Sequence, residues 1–260
     1  MRPRLRLPAA LLAAAVLAPA APVRAQDAAA APPAPLPARV RLVLNAGFWP
    51  SGASYGDSRT LTEYAEQTTL RTSYETGTGF GPDLALQVSL FRGLGILVGY
   101  SRHTRDVAGT VDVTRPHPLY LRRPRSATAE IAGYGYKEGA LDLDLAFART
   151  AGHLDWALFA GATLFQVEAD LLGTPGYDEQ YPYDELAIVS TPAVTAEDSP
   201  TGFNVGGRLD YRFGRTGRFG AGVQVRYSTA TVKLRADPNA TEATFDAGGL
   251  AIGAGVRLYF

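Results

Sequence analysis

The sequence predicts an all-β protein: a transmembrane up-and-down antiparallel β-barrel of about eight strands, with short periplasmic turns and long extracellular loops. Three observations support this prediction. Apolar and polar residues alternate with period two over most of the chain. Glycine makes up 28 of 260 residues, and many glycines lie in turns or alternate within strands. The connections between the alternating segments are short and long in turn, which is typical of membrane barrels.

The first 38 residues are read as targeting and leader segments. Residues 1–25 begin with Arg2, Arg4 and Arg6, continue with a Leu/Ala/Val run, and end in a small-residue cleavage site, which predicts a signal peptide. The apolar run is shorter than the ~20 residues of a membrane helix, so a helical anchor is the weaker alternative. Residues 26–38 are rich in Ala and Pro and are expected to be a disordered leader. The barrel is expected over residues 39–260.

Period-two alternation locates the strands in chain order. The last strand is the clearest, because Leu250, Ile252 and Val256 fall on one face whereas Gly253 and Arg257 fall on the other. The segment at 155–168 is apolar on both faces and cannot be oriented from the pattern. The eight predicted strands cover about residues 39–48, 83–90, 96–103, 141–148, 155–168, 203–213, 219–228 and 249–260.

Connections of two kinds separate these strands. Short turns lie near residues 92–93, 150–153 and 214–217, and long loops cover about 50–78, 104–138, 169–201 and 236–243. In an up-and-down barrel this order gathers the short turns at one end and the long loops at the other. Parts of 60–78 and 126–138 continue the alternation, so we expect hairpins that project beyond the bilayer.

The polar strand faces carry both charges, which suggests a barrel with an ionic interior. Eight strands enclose a lumen just wide enough for side chains to fill. Aromatic residues collect near strand ends, where interfacial girdles lie in membrane barrels. The predicted girdle residues are Phe48, Trp49, Tyr100, Phe147, Trp156, Phe213, Phe219, Tyr227, Tyr259 and Phe260. A soluble lipocalin-type barrel has the opposite polarity and is the alternative. The predicted lumen charge network comprises Arg41, Asp142, Asp144, Arg208, Asp210, Arg212, Arg226 and Arg257.

The ending of the chain resembles the C-terminal assembly signal of bacterial outer-membrane proteins, with alternating apolar residues before Leu258, Tyr259 and Phe260. In pattern, residues 39–260 are similar to the barrel domain of the OmpA-like eight-stranded outer-membrane family. The resemblance implies location in the cell outer membrane and recognition by the barrel-assembly machinery during biogenesis. The peptidoglycan-binding domain that follows the barrel in OmpA-type proteins is not expected.

Catalytic and metal-binding chemistry is weakly represented. The chain has no cysteine, which removes disulfides, cysteine-ligated zinc and thiol catalysis. His103, His117 and His153 lie in different hairpins without metal-ligand spacing. Ser101 and His103 share a strand face, as in some outer-membrane lipid hydrolases, but no orienting acid is evident. We therefore predict no enzyme activity, no catalytic residue, no metal site and no cofactor.

Two loops differ in charge. Region 102–125 contains six arginines against two aspartates, and guanidinium groups pair well with lipopolysaccharide phosphates. The 171–199 loop contains acidic and tyrosine residues but no Lys or Arg, which suggests a protein or divalent-cation ligand. The alternative is that the two loops pack on each other by charge. The predicted lipopolysaccharide-contacting residues are Arg105, Arg115, Arg122, Arg123 and Arg125.

The functional expectation is a monomeric, non-enzymatic barrel in contact with outer-membrane lipid and lipopolysaccharide. Its expected role is structural or one of surface interaction through the extracellular loops. A small or gated porin-like channel and an outer-membrane lipid hydrolase or deacylase are the alternatives. The balance of 25 basic and 25 acidic residues gives no indication of nucleic-acid binding.

Overall fold

The computed structural model describes residues 39–214, 216–238 and 240–260, so the predicted signal peptide and leader lie outside the described residues. The described residues form no helix that could cross a bilayer. Their strands are β1 (Val40–Trp49), β2 (Ser54–Glu63), β3 (Glu66–Thr76), β4 (Gly79–Phe91), β5 (Leu94–Arg115), β6 (Arg125–Ala151), β7 (Leu154–Leu172), β8 (Gly176–Asp178), β9 (Ala187–Ser190), β10 (Ala193–Asp198), β11 (Thr201–Phe213), β12 (Phe219–Leu234) and β13 (Ala243–Tyr259).

Eight of these strands form a closed antiparallel barrel, as predicted. The order around the wall is β1, β4, β5, β6, β7, β11, β12, β13 and back to β1. The seam between β1 and β13 is paired from Arg41 opposite Tyr259 to Phe48 opposite Ile252. Closure satisfies the backbone hydrogen bonds that lipid cannot satisfy.

Glycines let side chains and strands approach closely in the wall, as Gly255 and Gly222 show. A Cβ added at Gly255 would lie 1.9 Å from the Leu44 carbonyl oxygen across the β1–β13 seam. A Cβ added at Gly222 would lie 2.2 Å from Oδ1 of Asp210, which points into the lumen. The high glycine content therefore makes room both for seam closure and for the interior charges.

The lower part of the barrel has inverted polarity. Its outward face is apolar, and its inward face carries buried arginines, aspartates and amides. The outward apolar belt includes Leu84, Leu86, Ile96, Val98, Leu141, Leu143, Leu145, Leu158, Val205, Leu209, Val223, Val225, Ile252 and Val256. An exposed apolar belt of this kind suits acyl chains rather than water.

Polarity reverses towards the long-loop end, and β5 shows how. Its outward face is apolar up to Tyr100 and then carries Arg102 and Asp106, whereas its inward face becomes apolar from Val107 onward. The same strands thus continue into a second compartment with a water-facing exterior and an apolar interior.

The prediction of a long loop at 104–138 is wrong, because most of these residues belong to the strands of this second compartment. Only residues 116–124 lie between β5 and β6, because both strands extend well beyond the belt. The change in which face is apolar, together with a bulge between Val107 and Gly109, interrupts the pattern that the sequence prediction relied on. The expectation of hairpins beyond the bilayer is confirmed by β2 and β3, with β3 pairing along β5.

The compartment, which we name the extension, has its own core. Tyr55 stacks on Tyr74 and Phe245 with ring centroids 5.0 and 4.4 Å apart. Strand β10 pairs with β7 and widens the wall. The core also contains Leu70, Val107, Val111, Val113, Ile131, Phe165, Val167, Leu171, Leu172, Val232 and Leu234. The extension is therefore a packed stalk of sheet structure.

Strand β7 crosses both compartments, which explains why its pattern could not be oriented. Trp156 and Leu158 face outward in the belt, whereas Phe165 and Val167 face inward in the extension. Phe159 also points inward and packs with a small apolar cluster in the lumen. A strand with apolar residues on opposite faces at its two ends looks apolar on both.

Most of the girdle aromatics lie on the outer surface, but two predicted ones do not. Trp49 and Tyr259 are only 2% and 4% exposed and point inward. Trp49 follows the outward Phe48, and Tyr259 precedes the outward Phe260. Both point inward because adjacent residues of a strand face opposite sides of the sheet. The outward aromatics include Tyr100, Trp156, Phe213, Phe219, Tyr227 and Phe260.

Candidate functional site

The short-turn half of the lumen is organised around Asp210. Its carboxylate lies 2.6 Å from Nε of Arg257, 2.9 Å from Nε of Arg208 and 3.7 Å from Nη1 of Arg41. All four side chains are buried. Arg257 also donates to Oδ1 of Asn45 at 2.6 Å. One aspartate thus holds arginines from three strands across the lumen.

Asp155 forms the second node of the network. It pairs with Nη2 of Arg41 at 2.9 Å and with Nε of Arg212 at 2.7 Å. The ring of Tyr259 lies beneath both arginines, with its centroid 4.2 Å from Cζ of Arg212 and 5.0 Å from Cζ of Arg41. Cation–π contact with both arginines stabilises Tyr259 in its inward position.

The upper half of the lumen is built around Asp142. Arg226 pairs with Asp142 and also donates from Nη2 to Oγ of Ser101 at 2.8 Å. Asp142 also accepts a hydrogen bond from Thr163 at 2.7 Å. Asp144 is held by the amide of Asn204 at 2.7 Å rather than by an arginine.

The structure thus places all eight predicted network residues in the lumen and adds Asp83 and Asp155. Asp83 accepts a hydrogen bond from Gln224 at 3.1 Å and lies 3.9 Å from Nη1 of Arg226. Asp155 was missed because it begins the strand that could not be oriented. Within this network the charges balance, with five arginines (Arg41, Arg208, Arg212, Arg226 and Arg257) and five aspartates (Asp83, Asp142, Asp144, Asp155 and Asp210).

Ser101 and His103 lie inside the barrel, as their strand face predicts. The His103 ring stacks on Trp49 with centroids 4.2 Å apart, and its Nε2 lies 4.0 Å from Oε2 of Glu138. Among the described contacts, none joins Ser101 to His103. An acid is therefore near the histidine, but the serine is engaged by Arg226 and is buried away from lipid.

The predicted arginine loop does not form one lipid-facing surface. The prediction that Arg105 and Arg125 contact lipopolysaccharide is wrong, because both lie on inward strand faces and are buried. Arg105 donates from Nη1 to the Ser51 carbonyl at 2.8 Å. Arg125 donates to the Pro116 carbonyl at 3.0 Å and pairs with Glu179 at 3.2 Å.

The other three arginines belong to the distal end of the extension. We define the crown as residues 61–66, 116–124 and 177–189. Arg115, just below it, pairs with Glu63 at 2.6 Å and Glu179 at 2.7 Å. Arg123 pairs with Asp184 at 3.0 Å, and Arg122 is exposed. These pairs match the alternative that the basic and acidic loops pack on each other.

Glu63 shows the electrostatics of the crown base. Burial acts to raise the pKa of its carboxyl group, but hydrogen bonds from Arg115 and Thr68 outweigh burial and hold that pKa below its usual value. Elsewhere in the acidic segment, Asp198 accepts a hydrogen bond from the Lys233 backbone N–H at 2.8 Å. The part of the chain that the structure describes contains no group of three His, Cys, Asp or Glu arranged to hold a metal ion.

Closure of the wall and the inverted polarity of the belt decide where the chain resides. It is an outer-membrane β-barrel. The belt lies within the bilayer, the short turns are periplasmic and the extension is extracellular.

Neither a family model nor a curated protein matches this sequence. Solved structures with a similar architecture include Neisserial surface protein A (12% identity, TM-score 0.40), which covers 84% of this chain and 99% of its own. OprG from Pseudomonas aeruginosa (12% identity, TM-score 0.48) matches over 86% of this chain and 96% of its own. Ail of Yersinia pestis (11% identity, TM-score 0.33) matches over 83% of this chain and 98% of its own. Similarity this distant does not extend to function or site residues.

Proposed function

We propose that this protein is a non-enzymatic outer-membrane barrel with a sealed lumen and a surface-interaction role carried by its extracellular extension. The observation that supports this most is the apolar core of the extension, which makes the crown the end of a packed stalk rather than a set of free loops. A rigid scaffold that presents its loops is typical of binding proteins.

The balanced charge network argues against the channel alternative, because cross-linked side chains occupy the lumen from Asp155 up to Asp144. Planar-bilayer recordings of the refolded mature chain test this directly. We expect no steady conductance steps from the wild-type protein. Steady nanosiemens-scale openings would instead support a porin-like function.

The hydrolase alternative depends on Ser101 and His103. Both lie within the lumen, so a lipid ester would have to enter the sealed barrel to reach Oγ of Ser101. Incubation of the refolded protein with lipopolysaccharide and phospholipid tests this alternative. Hydrolysis that disappears in His103→Ala would overturn the non-enzymatic assignment.

The finer assignments are also proposals. Membership of the OmpA-like family, recognition of Leu258, Tyr259 and Phe260 by the barrel-assembly machinery, and a monomeric state rest on sequence pattern. Among the predicted lipopolysaccharide contacts, Arg122 and Arg123 are the exposed ones. Lipopolysaccharide binding that is unchanged in Arg122→Ala/Arg123→Ala would show that these two arginines are not its contact.

A further inference from the structure

The crown exposes large apolar side chains to water. Leu119, Tyr120 and Leu121 are consecutive in the loop between β5 and β6 and are 57%, 55% and 76% exposed. Tyr181 is 80% exposed and Tyr64 is 51% exposed on the neighbouring segments. These residues lie beyond the lipid belt, where most of the outer wall is polar. Clustered exposure of this kind marks an interaction surface.

The three segments of the crown form one surface. The backbone N–H of Arg122 donates to Oε1 of Glu66 at 2.6 Å, which joins the β5–β6 loop to the β2–β3 turn. The pair between Arg123 and Asp184 joins the same loop to the acidic segment. The apolar side chains are therefore presented together.

Backbone strain is concentrated in the same place. Among the described residues, five non-glycine residues have positive φ, and four of them lie in the crown: Tyr64 (51°), Ala65 (60°), Arg122 (59°) and Tyr183 (69°). Glycine or asparagine would adopt this conformation at lower cost. The chain instead keeps tyrosine and arginine there, and strain of this kind tends to occur at functional sites.

The exposed charges of the crown have both signs. Arg122 lies on one segment, whereas Glu185 lies on another, and both side chains are exposed without a described ion pair. A surface that carries both members of a complementary pair can bind a copy of itself across a twofold axis. An anionic lipid surface fits less well, because Asp184 and Glu185 would repel it.

We propose that the crown is a homotypic contact surface that binds the crown of a second copy on a facing membrane. Leu119, Tyr120 and Leu121 bury against each other in this contact, and Arg122 of each copy pairs with Glu185 of the other. The inference rests on the proposed surface-interaction role. The sixteen residues from Tyr100 to Arg115 span roughly 50 Å of strand, so the crown stands well clear of the belt.

Two populations of vesicles, each labelled with a different dye and each carrying the full mature chain, test this proposal. We expect them to clump with each other and not with protein-free vesicles. Tyr120→Ser/Leu121→Ser should reduce clumping at least about tenfold, because truncating central anchors removes most of the binding energy. Val194→Ser, which changes an exposed apolar residue on β10 outside the crown, is the matched control and should clump like wild type.

A charge exchange tests the self-pairing itself. Vesicles carrying Arg122→Glu alone, or Glu185→Lys alone, should clump weakly with their own kind, whereas a mixture of the two should clump as wild type does. Heat-modifiable gel migration verifies that each variant is folded. Absence of wild-type clumping, equal clumping with protein-free vesicles, or no recovery in the mixture would each overturn the proposal. The channel and hydrolase assays are separate, so the proposed function can survive this failure.

Discussion

Asp210 is the residue whose removal tests the lumen network most directly. Its carboxylate lies within 4.0 Å of three buried arginines, and its own side chain is fully buried. Asp210→Ala leaves the network with five arginines and four aspartates. Arg41 keeps the carboxylate of Asp155. Arg257 keeps only the neutral Asn45 and Arg208 only the neutral Gln87, so the loss falls mainly on Arg208 and Arg257.

The size of the effect follows from burial. Removing one partner of a buried ion pair costs about 3–5 kcal/mol, because the other charge remains desolvated and unpaired. We therefore expect the free energy of unfolding to fall by about 3–5 kcal/mol. With a urea dependence of about 2 kcal/mol per molar, the unfolding midpoint should fall by roughly 2 M.

Tryptophan fluorescence of vesicle-reconstituted protein during urea unfolding measures this shift, and gel mobility with and without heating reports closure of the barrel. The matched control is Asp246→Ala, an exposed aspartate of β13 that accepts a hydrogen bond from Thr231. Such surface changes usually lie within about 0.5 kcal/mol of wild type. A midpoint for Asp210→Ala equal to that of the control would refute the network as a stabilising element.

Three further predictions address the belt, the seam and the crown. Leu143→Arg places a charge on the lipid face and should cost about 2–4 kcal/mol of unfolding free energy in vesicles, whereas Thr128→Arg on the outer wall of the extension should cost almost nothing. Gly255→Val should reduce the heat-modifiable folded band, because the added atoms meet the β1 backbone; a wild-type band would contradict this. Because the pKa of Glu63 is lowered in the folded state, its pairing with Arg115 stabilises the crown at neutral pH and is lost as the pH falls through that pKa. The protection factors of the crown amides, which compare each exchange rate with the intrinsic rate at the same pH, should fall on acidification in wild type and depend less on pH in Glu63→Gln.

Period-two alternation was sufficient to predict the belt and the number of barrel strands. Lipid imposes one rule on every strand there, so residues such as Leu143 and Asp142 separate cleanly by face. Strand closure then follows from backbone hydrogen bonding rather than from any one residue.

The length of β5 and β6 was not predicted, because the face that carries the apolar residues changes from the outer to the inner one along each strand. Tyr100 is apolar and outward, whereas Val107 is apolar and inward, so the two have opposite parity. A pattern read with one parity ends near Tyr100. The same change concealed Asp155, since β7 carries outward apolar residues at one end and inward ones at the other.

The positions of Arg105 and Arg125 depended on tertiary structure. Their spacing in the sequence is that of a basic loop, but the wall extends to their level and turns both side chains inward. Whether an arginine faces water or the interior there depends on which of the two alternating faces of its strand it occupies. The switch of the apolar residues from the outer to the inner face hides this from the sequence pattern. Arg122 and Arg123 lie beyond the strand ends and escape this ambiguity.

The level of the reversal agrees between strands that are distant in sequence. Tyr100 of β5 pairs with Leu141 of β6, and Tyr227 of β12 pairs with Leu250 of β13, and each is among the last apolar residues facing outward before the wall becomes polar. Below this level lipid surrounds the wall, so polar groups are confined to the lumen and must pair there. Above it water surrounds the wall, and the interior can be apolar. The extension therefore owes its packing to the hydrophobic effect in water rather than to the bilayer, which is what a stalk that presents a crown beyond the membrane requires.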